Sequence, residues 1–269
     1  PNISGKWTYG DYKIKYITYF NDLISSTKTN YLPSGNTSET ITYTYINDYS
    51  DKIKTVSSDN GIVKEKTYLF ENNNYLGASA EYNLLNVYNI PYALESEKTK
   101  LNNKILDKKG IKYSNWLRGS TLIPRVSEIY NETLNGATDK TTKFISYTDK
   151  GNVREALSDG LSVTTVWGYN DNYPIAQIIG AKYTDVENYI SDIVNKSNLD
   201  TDDASENQLI DALDTFRKNT NLSNFQITTY TYNPLIGVTS VTPPSGMREI
   251  YIYDTANRLK EVKRQEKDS

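Results

Sequence analysis

The 269-residue chain contains no histidine and no cysteine. Catalytic triads with a histidine base, zinc sites built from imidazole or thiolate, and thiolate-bound iron–sulfur clusters are therefore excluded. Carboxylates, lysine, tyrosine, serine and threonine remain as candidate catalytic groups. The lack of disulfides does not fix the compartment, because a β domain of this size folds without them in either setting.

Apolar residues are also scarce, at 37% of the chain, against ~45–50% in an average globular protein. No run approaches the ~18 consecutive apolar residues of a membrane-spanning helix. The net charge of −3 disfavours nonspecific nucleic-acid binding, which requires a basic face. The chain begins at Pro1 without a signal-like apolar stretch, which predicts a processed chain or a fragment of a longer protein.

Tyrosine is the abundant aromatic residue, with 24 Tyr against 5 Phe and 3 Trp. Tyrosine and threonine suit a half-buried strand, and the many asparagines suit turns. Two-residue alternation predicts a hairpin from Thr40–Tyr45 and Lys52–Val56, and a meander of short strands over 141–179 with a turn at Asp159-Gly160. A further turn is predicted at Lys108-Lys109-Gly110, whereas residues 71–105 receive no assignment.

Residues 181–222 show helical periodicity instead. Thr184 and Glu187 fit a capping box, and the apolar residues after them recur at helical spacing: Val186, Tyr189, Ile190, Ile193 and Val194. Ser205 and Gln208 offer a second capping box. Its apolar stripe is Leu209, Ala212, Leu213 and Phe216. The pattern predicts an insert of two short amphipathic helices near 184–219.

A weak repeat links the β segments. It consists of an apolar residue, a spacer, a tyrosine, a polar turn, an apolar residue six positions after the tyrosine, and another residue three positions later. Three copies fit: Tyr251, Tyr253, Leu259, Val262; Tyr230, Tyr232, Val238, Val241; and Ile145, Tyr147, Val153, Ala156. In the hairpin at Tyr45 the step to Ile53 is eight. One such unit cannot bury its own face, so copies must stack.

These residues resemble the YD repeats of the RHS family, in which Tyr-Asp is followed by a turn and Arg-Leu. The last copy carries Tyr253, Asp254, Arg258 and Leu259, and a degenerate copy carries Tyr147, Asp149, Gly151 and Asn152. The stretch Trp167-Gly168-Tyr169-Asn170, together with Tyr230, Tyr232 and Gly237, resembles the RHS-repeat proteins of Bacteroidota. The resemblance is best over residues 141–264.

The resemblance implies a mainly β fold of stacked antiparallel hairpins of YD-repeat type. We expect a β-rich repeat region over 1–180, a helical insert over 181–224 and YD-repeat hairpins over 225–269, with the β parts forming one assembly. Proteins of this family form shells or cell-surface scaffolds, often with a variable toxin or adhesin at the C-terminus. Because this chain has few copies and lacks the Asp-Pro-x-x-Gly motifs of the self-cleaving core, we expect an open, strip-like or partner-supported sheet.

The predicted function is a non-enzymatic structural or binding module, without cofactor or metal, that acts as a scaffold or in protein–protein association. Its open β edges would be covered by another protein or by further repeats, with no nucleic acid as partner and no transmembrane segment. An extracellular or cell-surface location is implied by the resemblance alone.

Two alternatives stay open. A carbohydrate-binding adhesin would use Trp7, Trp116 and Trp167 with exposed tyrosines as a stacking platform, whereas the same rings would otherwise pack sheet faces. A glycoside hydrolase would need only two carboxylates, although no spacing in the sequence distinguishes such a pair.

Two acidic features are predicted to be structural. Asp200, Asp202, Asp203 and Glu206 lack the alternation and the glycine of a calcium loop, and acids are favoured before a helix N-terminus. Asp254 is expected to accept backbone N–H groups in its turn, with Arg258 covering the neighbouring hairpin.

Overall fold

The computed structural model describes residues 25–45, 51–58, 61–68, 90, 93–134 and 136–265, with the backbone alone for 43–45, 51–58 and 140. Trp7 and the turn residues 47–50 and 59–60 lie outside this part of the chain.

The described residues form one antiparallel sheet in which each strand pairs with the next along the chain. The first eight strands are β1 (Ser25–Asn30), β2 (Thr37–Tyr45), β3 (Asp51–Ser58), β4 (Ile62–Tyr68), β5 (Leu94–Leu101), β6 (Lys104–Arg118), β7 (Thr121–Glu132) and β8 (Thr138–Tyr147). The other seven are β9 (Val153–Ser158), β10 (Leu161–Gly168), β11 (Tyr173–Ile179), β12 (Gln226–Asn233), β13 (Gly237–Thr242), β14 (Arg248–Tyr253) and β15 (Leu259–Gln265). Among the described strands the sheet does not close, and β1 and β15 lie at its two ends. The predicted mainly β fold of antiparallel hairpins is confirmed.

The turns of the predicted meander follow from local sequence. Asp159 and Gly160 both have positive φ, 49° and 84°, between β9 and β10. A two-residue turn of this kind matches the right-handed twist of the strands that it joins, and Asp-Gly is a favoured sequence for it.

The turn predicted at Lys108-Lys109-Gly110 is wrong, because these residues lie inside β6. Gly110 pairs with Tyr130 of β7, whose ring covers it. A Cβ atom on Gly110 would lie 2.2 Å from Cζ of Tyr130. This glycine therefore serves close approach of an aromatic ring within a strand rather than a turn.

A helical insert, residues 183–222, separates β11 from β12, as predicted. It contains α1 (Tyr183–Val186), a 3₁₀ turn (Glu187–Tyr189), α2 (Ser191–Asn198), α3 (Asp203–Arg217) and a second 3₁₀ turn (Thr220–Leu222). The first predicted helix is thus divided in two by the 3₁₀ turn, which makes three α-helices in the insert rather than two.

Both predicted N-caps are wrong, the first by two residues and the second by three. The first helix begins at Tyr183 rather than after Thr184, with the Asp185 carboxylate accepting the Lys182 amide at 2.9 Å. The third begins at Asp203, and its N-cap is Asp202 rather than Ser205. Asp202 accepts the Ser205 amide at 2.8 Å. An aspartate caps as well as a serine, so the upstream acid starts the helix earlier.

The apolar core lies between the insert and strands β10–β12. The predicted stripe of α3, Leu209, Ala212, Leu213 and Phe216, is buried there, together with Ile175, Ile178 and Ile193. By contrast, in the described part of residues 25–134 the buried apolar side chains are Ala93 and Tyr130. The insert therefore gives strands β10–β12 a second layer, and no helix lies among the described residues of 25–134.

Two ion pairs connect opposite residues of β6 and β7. Lys108 lies opposite Glu132 with 2.6 Å between Nζ and Oε1, and Lys112 lies opposite Glu128 at 3.2 Å. Such partly exposed pairs contribute ~0.2–1 kcal/mol each. No helix in the described ranges has the length and apolar character to cross a membrane.

Candidate functional site

A repeated register shift places one aromatic residue at the same position in every even-numbered strand. Immediately before that residue, the pairing with the next strand slips by one residue, so the odd-numbered strand carries a β-bulge. We call these residues the register aromatics: Tyr45, Tyr68, Tyr113, Tyr147, Trp167, Tyr232 and Tyr253. A bulge bends and twists its strand. Seven bulges at equivalent positions in successive hairpins therefore curve the sheet repeatedly.

Each register aromatic pairs with one residue of the next, odd-numbered strand. We call the place of that residue the acceptor position. These positions are Asp51, Leu94, Val126, Val153, Pro174, Val238 and Leu259. Asp51 follows Tyr45 by six residues, so the eight-residue step inferred for this hairpin is wrong. The backbone spacing is six here too, with Asp51 in place of an apolar residue.

Four acceptor positions receive a hydrogen bond from the register aromatic of the next even strand. The Tyr113 hydroxyl donates to the Leu94 carbonyl at 3.1 Å, and the Tyr147 hydroxyl donates to the Val126 carbonyl at 2.5 Å. Trp167 Nε1 donates to the Val153 carbonyl and the Tyr253 hydroxyl to the Val238 carbonyl, both at 2.8 Å. Each aromatic thus joins two successive hairpins.

The carbonyls need these donors because the strand ladder ends before it reaches them. Pairing of β13 with β14, for example, covers Ser240–Ile250 and Val241–Glu249. A backbone carbonyl left without a ladder partner is costly once a ring shields it from water, and the hydroxyl satisfies it. The same shielding raises the pKa of Tyr147 to about 12, while the nearby Arg125 charge partly opposes the shift.

The turns after Tyr147 and Tyr253 share one hydrogen-bond pattern. The Asp254 amide donates to the Arg258 carbonyl at 2.9 Å, and the Thr148 amide donates to the Asn152 carbonyl at 2.8 Å. The side chains of Asp254 and Thr148 in turn accept the amides of Arg258 and Asn152. Thr148, and not the exposed Asp149, is therefore the structural equivalent of Asp254.

Asp254 is bonded within its own turn. Its carboxylate accepts the amides of Arg258 and Ala256 and the Nε of Arg258. The Arg258 amide and guanidinium hold the pKa of Asp254 below its usual value. The carboxylate is thus a turn-forming group, with Arg258 folded back on it rather than reaching the neighbouring hairpin.

Three motif glycines allow close approach. Gly151 lies under the guanidinium of Arg125, and a Cβ there would come within 2.1 Å of Nη2. Gly168 contacts Ser197 of α2 in the same way, and Gly237 lies against the Tyr253 hydroxyl. In each case the glycine lets a group from another element lie directly on the backbone.

A tyrosine cluster joins the insert to the sheet. The Tyr169 hydroxyl donates to the Asp200 carboxylate at 2.7 Å and accepts the Tyr232 amide at 2.9 Å. Tyr173 stacks on Tyr232 with ring centroids 4.9 Å apart. Burial raises the pKa of Tyr232 to about 12 and that of Tyr230 in the same direction. Asn170, the last motif residue of this stretch, donates its amide to the Asn198 side chain at 2.6 Å.

The acidic cluster before α3 is occupied by hydrogen bonds within the protein. Asp200 accepts the Tyr169 hydroxyl, Asp202 caps α3, and Glu206 accepts the Thr231 hydroxyl at 2.8 Å. Burial raises the pKa of Asp200. Asp200 and Glu206 therefore join the insert to the sheet, whereas Asp202 caps α3 and Asp203 is the exposed first residue of that helix.

A pocket of about 330 Å³ opens between β9–β10 and the first half of the insert. Arg154 lies over the Tyr183 ring, 4.6 Å from its centroid, and Trp167, Asp171 and Glu187 complete the polar and aromatic lining. The Trp167 Nε1 proton is directed to the Val153 carbonyl, so this ring lines the pocket with its donor already used.

The described tryptophans do not form an exposed row. Trp116 and Trp167 are half-buried, and Trp116 meets Tyr147 edge-on with centroids 5.1 Å apart. Trp7 lies outside the described residues. Trp116 therefore packs against another ring of the sheet, and Trp167 is held to the neighbouring strand by its hydrogen bond.

The sequence repeat identified Tyr147, Tyr232 and Tyr253 but missed Tyr68 and Tyr113. The missed register pairs are separated by long hairpins, 26 residues from Tyr68 to Leu94 and 13 from Tyr113 to Val126. A fixed six-residue step cannot detect them. The third copy of the repeat also pairs differently from the other two. Ile145 is the extra residue of a β-bulge, and Ala156 pairs with Phe144.

Comparison with known proteins shows no family. No family model matches the chain, and no curated protein matches it. A solved porin-like protein from Bacteroides uniformis is 9% identical, with 90% of this chain and 84% of that chain covered and a TM-score of 0.33. A structure described as TcdB2-TccC3-TEV is 11% identical, covers 84% of this chain and 12% of that chain, and has a TM-score of 0.23. Because both TM-scores are below 0.5, we draw no conclusion about fold or function from either.

Proposed function

We propose that this chain is a non-enzymatic scaffold segment of a secreted or cell-surface protein of RHS/YD-repeat type, and that it associates with other protein through its sheet. The observation that carries this proposal is the register aromatic of every even strand. The same backbone device recurs from β2 to β14, on both sides of the helical insert. Repetition of this unit extends the sheet regularly along the chain, as a scaffold requires.

The arrangement of polar groups supports a structural role. Asp254, Asp202 and Glu206 are used in a turn, a helix cap and a strand contact, respectively. The tyrosine hydroxyls of the register bind backbone carbonyls. Polar side chains that satisfy backbone groups order a scaffold whose apolar core is small.

The location and association are tested on intact cells of the source organism with a membrane-impermeant, amine-reactive crosslinker. The proposal predicts that the native product is labelled on intact cells and is recovered covalently joined to another protein. A cytoplasmic protein provides the control and must stay unlabelled until lysis. Labelling that requires lysis would refute the surface location, and a labelled product that stays uncrosslinked would refute the association.

A further inference from the structure

Three charged side chains share the pocket between β9–β10 and the insert without pairing with one another. Arg154, Asp171 and Glu187 all line this pocket, and within the described residues none of their side chains forms a hydrogen bond or an ion pair. Their donors and acceptors are therefore available to solvent or to a bound molecule.

The guanidinium of Arg154 is held in place by an aromatic ring. It lies 4.6 Å from the centroid of the Tyr183 ring. The Tyr183 amide in turn donates to the buried carboxylate of Glu155 at 2.9 Å, which fixes the start of α1 against β9. A guanidinium that lies over a ring keeps the N–H donors at its edge available to a ligand.

A left-handed turn places Asp171 at the pocket. Tyr169, Asn170 and Asp171 have φ values of 50°, 56° and 65°, a conformation that is uncommon outside glycine. The amides of Tyr169 and Asn170 donate to the side chains of Ser197 and Asn198 on α2, at 3.3 Å and 2.6 Å. The insert therefore maintains this turn, and the pocket is preformed, as small-molecule sites usually are.

The rest of the lining combines an aromatic ring with small uncharged polar groups. The indole of Trp167 directs its N–H to the Val153 carbonyl, so it offers the pocket a ring surface rather than a donor. Hydroxyl and amide groups come from Thr148, Thr165, Ser191 and Asn195. The volume of about 330 Å³ lies within the ~300–1,000 Å³ range of small-molecule pockets.

The balance of charge points to a neutral ligand. An anion in this pocket would meet Asp171 and Glu187, and an amine would meet Arg154. A hydroxyl group both donates and accepts, so it bonds to carboxylates and to a guanidinium alike. A sugar ring carries several hydroxyls and also an apolar C–H face, which packs on an indole.

We propose that this pocket binds a neutral monosaccharide unit, with one face of the sugar ring on Trp167 and its hydroxyls bonded to Arg154, Asp171 and Glu187. The site differs from a platform of exposed aromatic residues, because the sugar lies between the sheet and the insert. This inference goes beyond the proposed scaffold function and does not depend on the location of the protein.

The experiment uses NMR of the full chain, labelled at the indole nitrogens of its three tryptophans. The Trp167 signal is assigned by its loss in Trp167→Phe and by its survival in a Trp7→Phe, Trp116→Phe variant. The probes are the methyl glycosides of glucose, mannose and galactose, each added up to about 100 mM, because ligands of this size bind in the mM range.

At least one glycoside should shift the Trp167 signal saturably, with a Kd of about 1–10 mM. The signal of Trp116, which does not line the pocket, should stay in place. Sorbitol, which has the hydroxyls without the ring, is the ligand control and should leave the Trp167 signal unchanged.

Replacing Arg154 with Met keeps an apolar stem over Tyr183 and removes the donors. This variant should fold with near-parental thermal stability, because the guanidinium bonds to no acceptor among the described residues. It should bind the glycoside at least ~5-fold more weakly, since charged hydrogen bonds are lost. Arg118→Met, at an exposed arginine of β6, is the matched control and should leave the Kd unchanged.

No saturable shift of the Trp167 signal with any of the three glycosides would overturn the proposal, as would an equal shift with sorbitol. Malonate or methylammonium that shifts this signal when the glycosides do not would show an ionic ligand, which overturns the sugar class. An unchanged Kd in Arg154→Met would overturn the assigned contacts. None of these results bears on the cell-surface crosslinking, so the two proposals fail separately.

Discussion

The tyrosine content of this chain has a cause at single residues. Four register aromatics, Tyr113, Tyr147, Trp167 and Tyr253, pack a half-buried ring on the sheet and also donate to a carbonyl that the next strand leaves unpaired. Phenylalanine performs the first task, whereas tyrosine and tryptophan perform both because they combine an apolar ring with a polar tip. Tyr147 shows the combination, packing against Trp116 and donating to the Val126 carbonyl.

Replacing Tyr147 with Phe should reduce the free energy of unfolding by ~1 kcal/mol, because the Val126 carbonyl then loses its donor while the ring stays. Urea unfolding monitored by tryptophan fluorescence measures the change. Tyr31→Phe, at a residue 79% exposed, is the matched control and should leave stability unchanged. An equal loss in both variants would contradict the role assigned to the Tyr147 hydroxyl.

Stability should fall as the pH rises from about 10 toward 12. The pKa of Tyr147 and that of Tyr232 are raised by burial from 10.0 to about 12, so the folded protein keeps protons that the unfolded chain releases. The unfolded state then binds fewer protons, and the free energy of unfolding decreases with pH in this window. Urea unfolding across the range should show a shallower decrease for Tyr147→Phe than for the parent chain; parallel curves would count against the assignment.

Substituting Gly110 with Ala should destabilise the protein by ~1–3 kcal/mol, since the new methyl would overlap the Tyr130 ring. Thermal unfolding of the single variant and of Gly110→Ala with Tyr130→Ala separates this overlap from backbone effects. The methyl should cost much less once the ring is gone. If Gly110→Ala is equally harmful in both backgrounds, the close approach is not its cause.

At the scale of elements, alternation and turn residues suffice to predict the short hairpins, because each turn is specified by neighbouring residues such as Asp159-Gly160. The sequence does not reveal β6 as one long strand, since Lys108-Lys109-Gly110 has the composition of a turn and its covering ring, Tyr130, is 20 residues away. The sequence also does not reveal that a 3₁₀ turn divides the first predicted helix in two. Val186, Ile190 and Ile193 keep their helical spacing across the 3₁₀ turn and are all buried.

The candidate site could be predicted from sequence only in part. Asp254 and Arg258 interact within five residues, so their turn is visible locally. The bonds from Tyr113 to Leu94 and from Tyr147 to Val126 span 19 and 21 residues. Such contacts depend on strand register. The number of residues between the two partners varies with the length of the intervening hairpin, although the contact itself is the same.

Arg217 should hold the end of α3 on the sheet. Its guanidinium donates to the carbonyls of Ile227, Thr242 and Pro243 at the ends of β12 and β13. Arg217→Met should reduce the free energy of unfolding by about 2–3 kcal/mol, because charge-assisted bonds are lost and buried carbonyls lose their donor. Hydrogen exchange should quicken first in α3. Lys218→Met, at the exposed neighbouring position, is the control; equal effects of the two substitutions would contradict this account.

At the scale of the whole molecule, two modes of stabilisation share one sheet. Strands β10–β12 are covered by the insert and hold the apolar core. Strands β4–β7 depend on cross-strand ion pairs and register aromatics. The register itself continues through both regions, so the insert adds a layer to the array without interrupting it.

The central claim is that the register aromatics, through their polar tips, hold the array together. The most direct test compares urea unfolding of two triple Tyr→Phe variants. One removes the register hydroxyls of Tyr113, Tyr147 and Tyr253, and the other removes those of Tyr31, Tyr189 and Tyr230. The register variant should lose about 1.5–4 kcal/mol, near the sum of its single changes because the sites lie in separate hairpins, and the other variant should stay near the parent. Equal stability of the two triple variants would contradict the account.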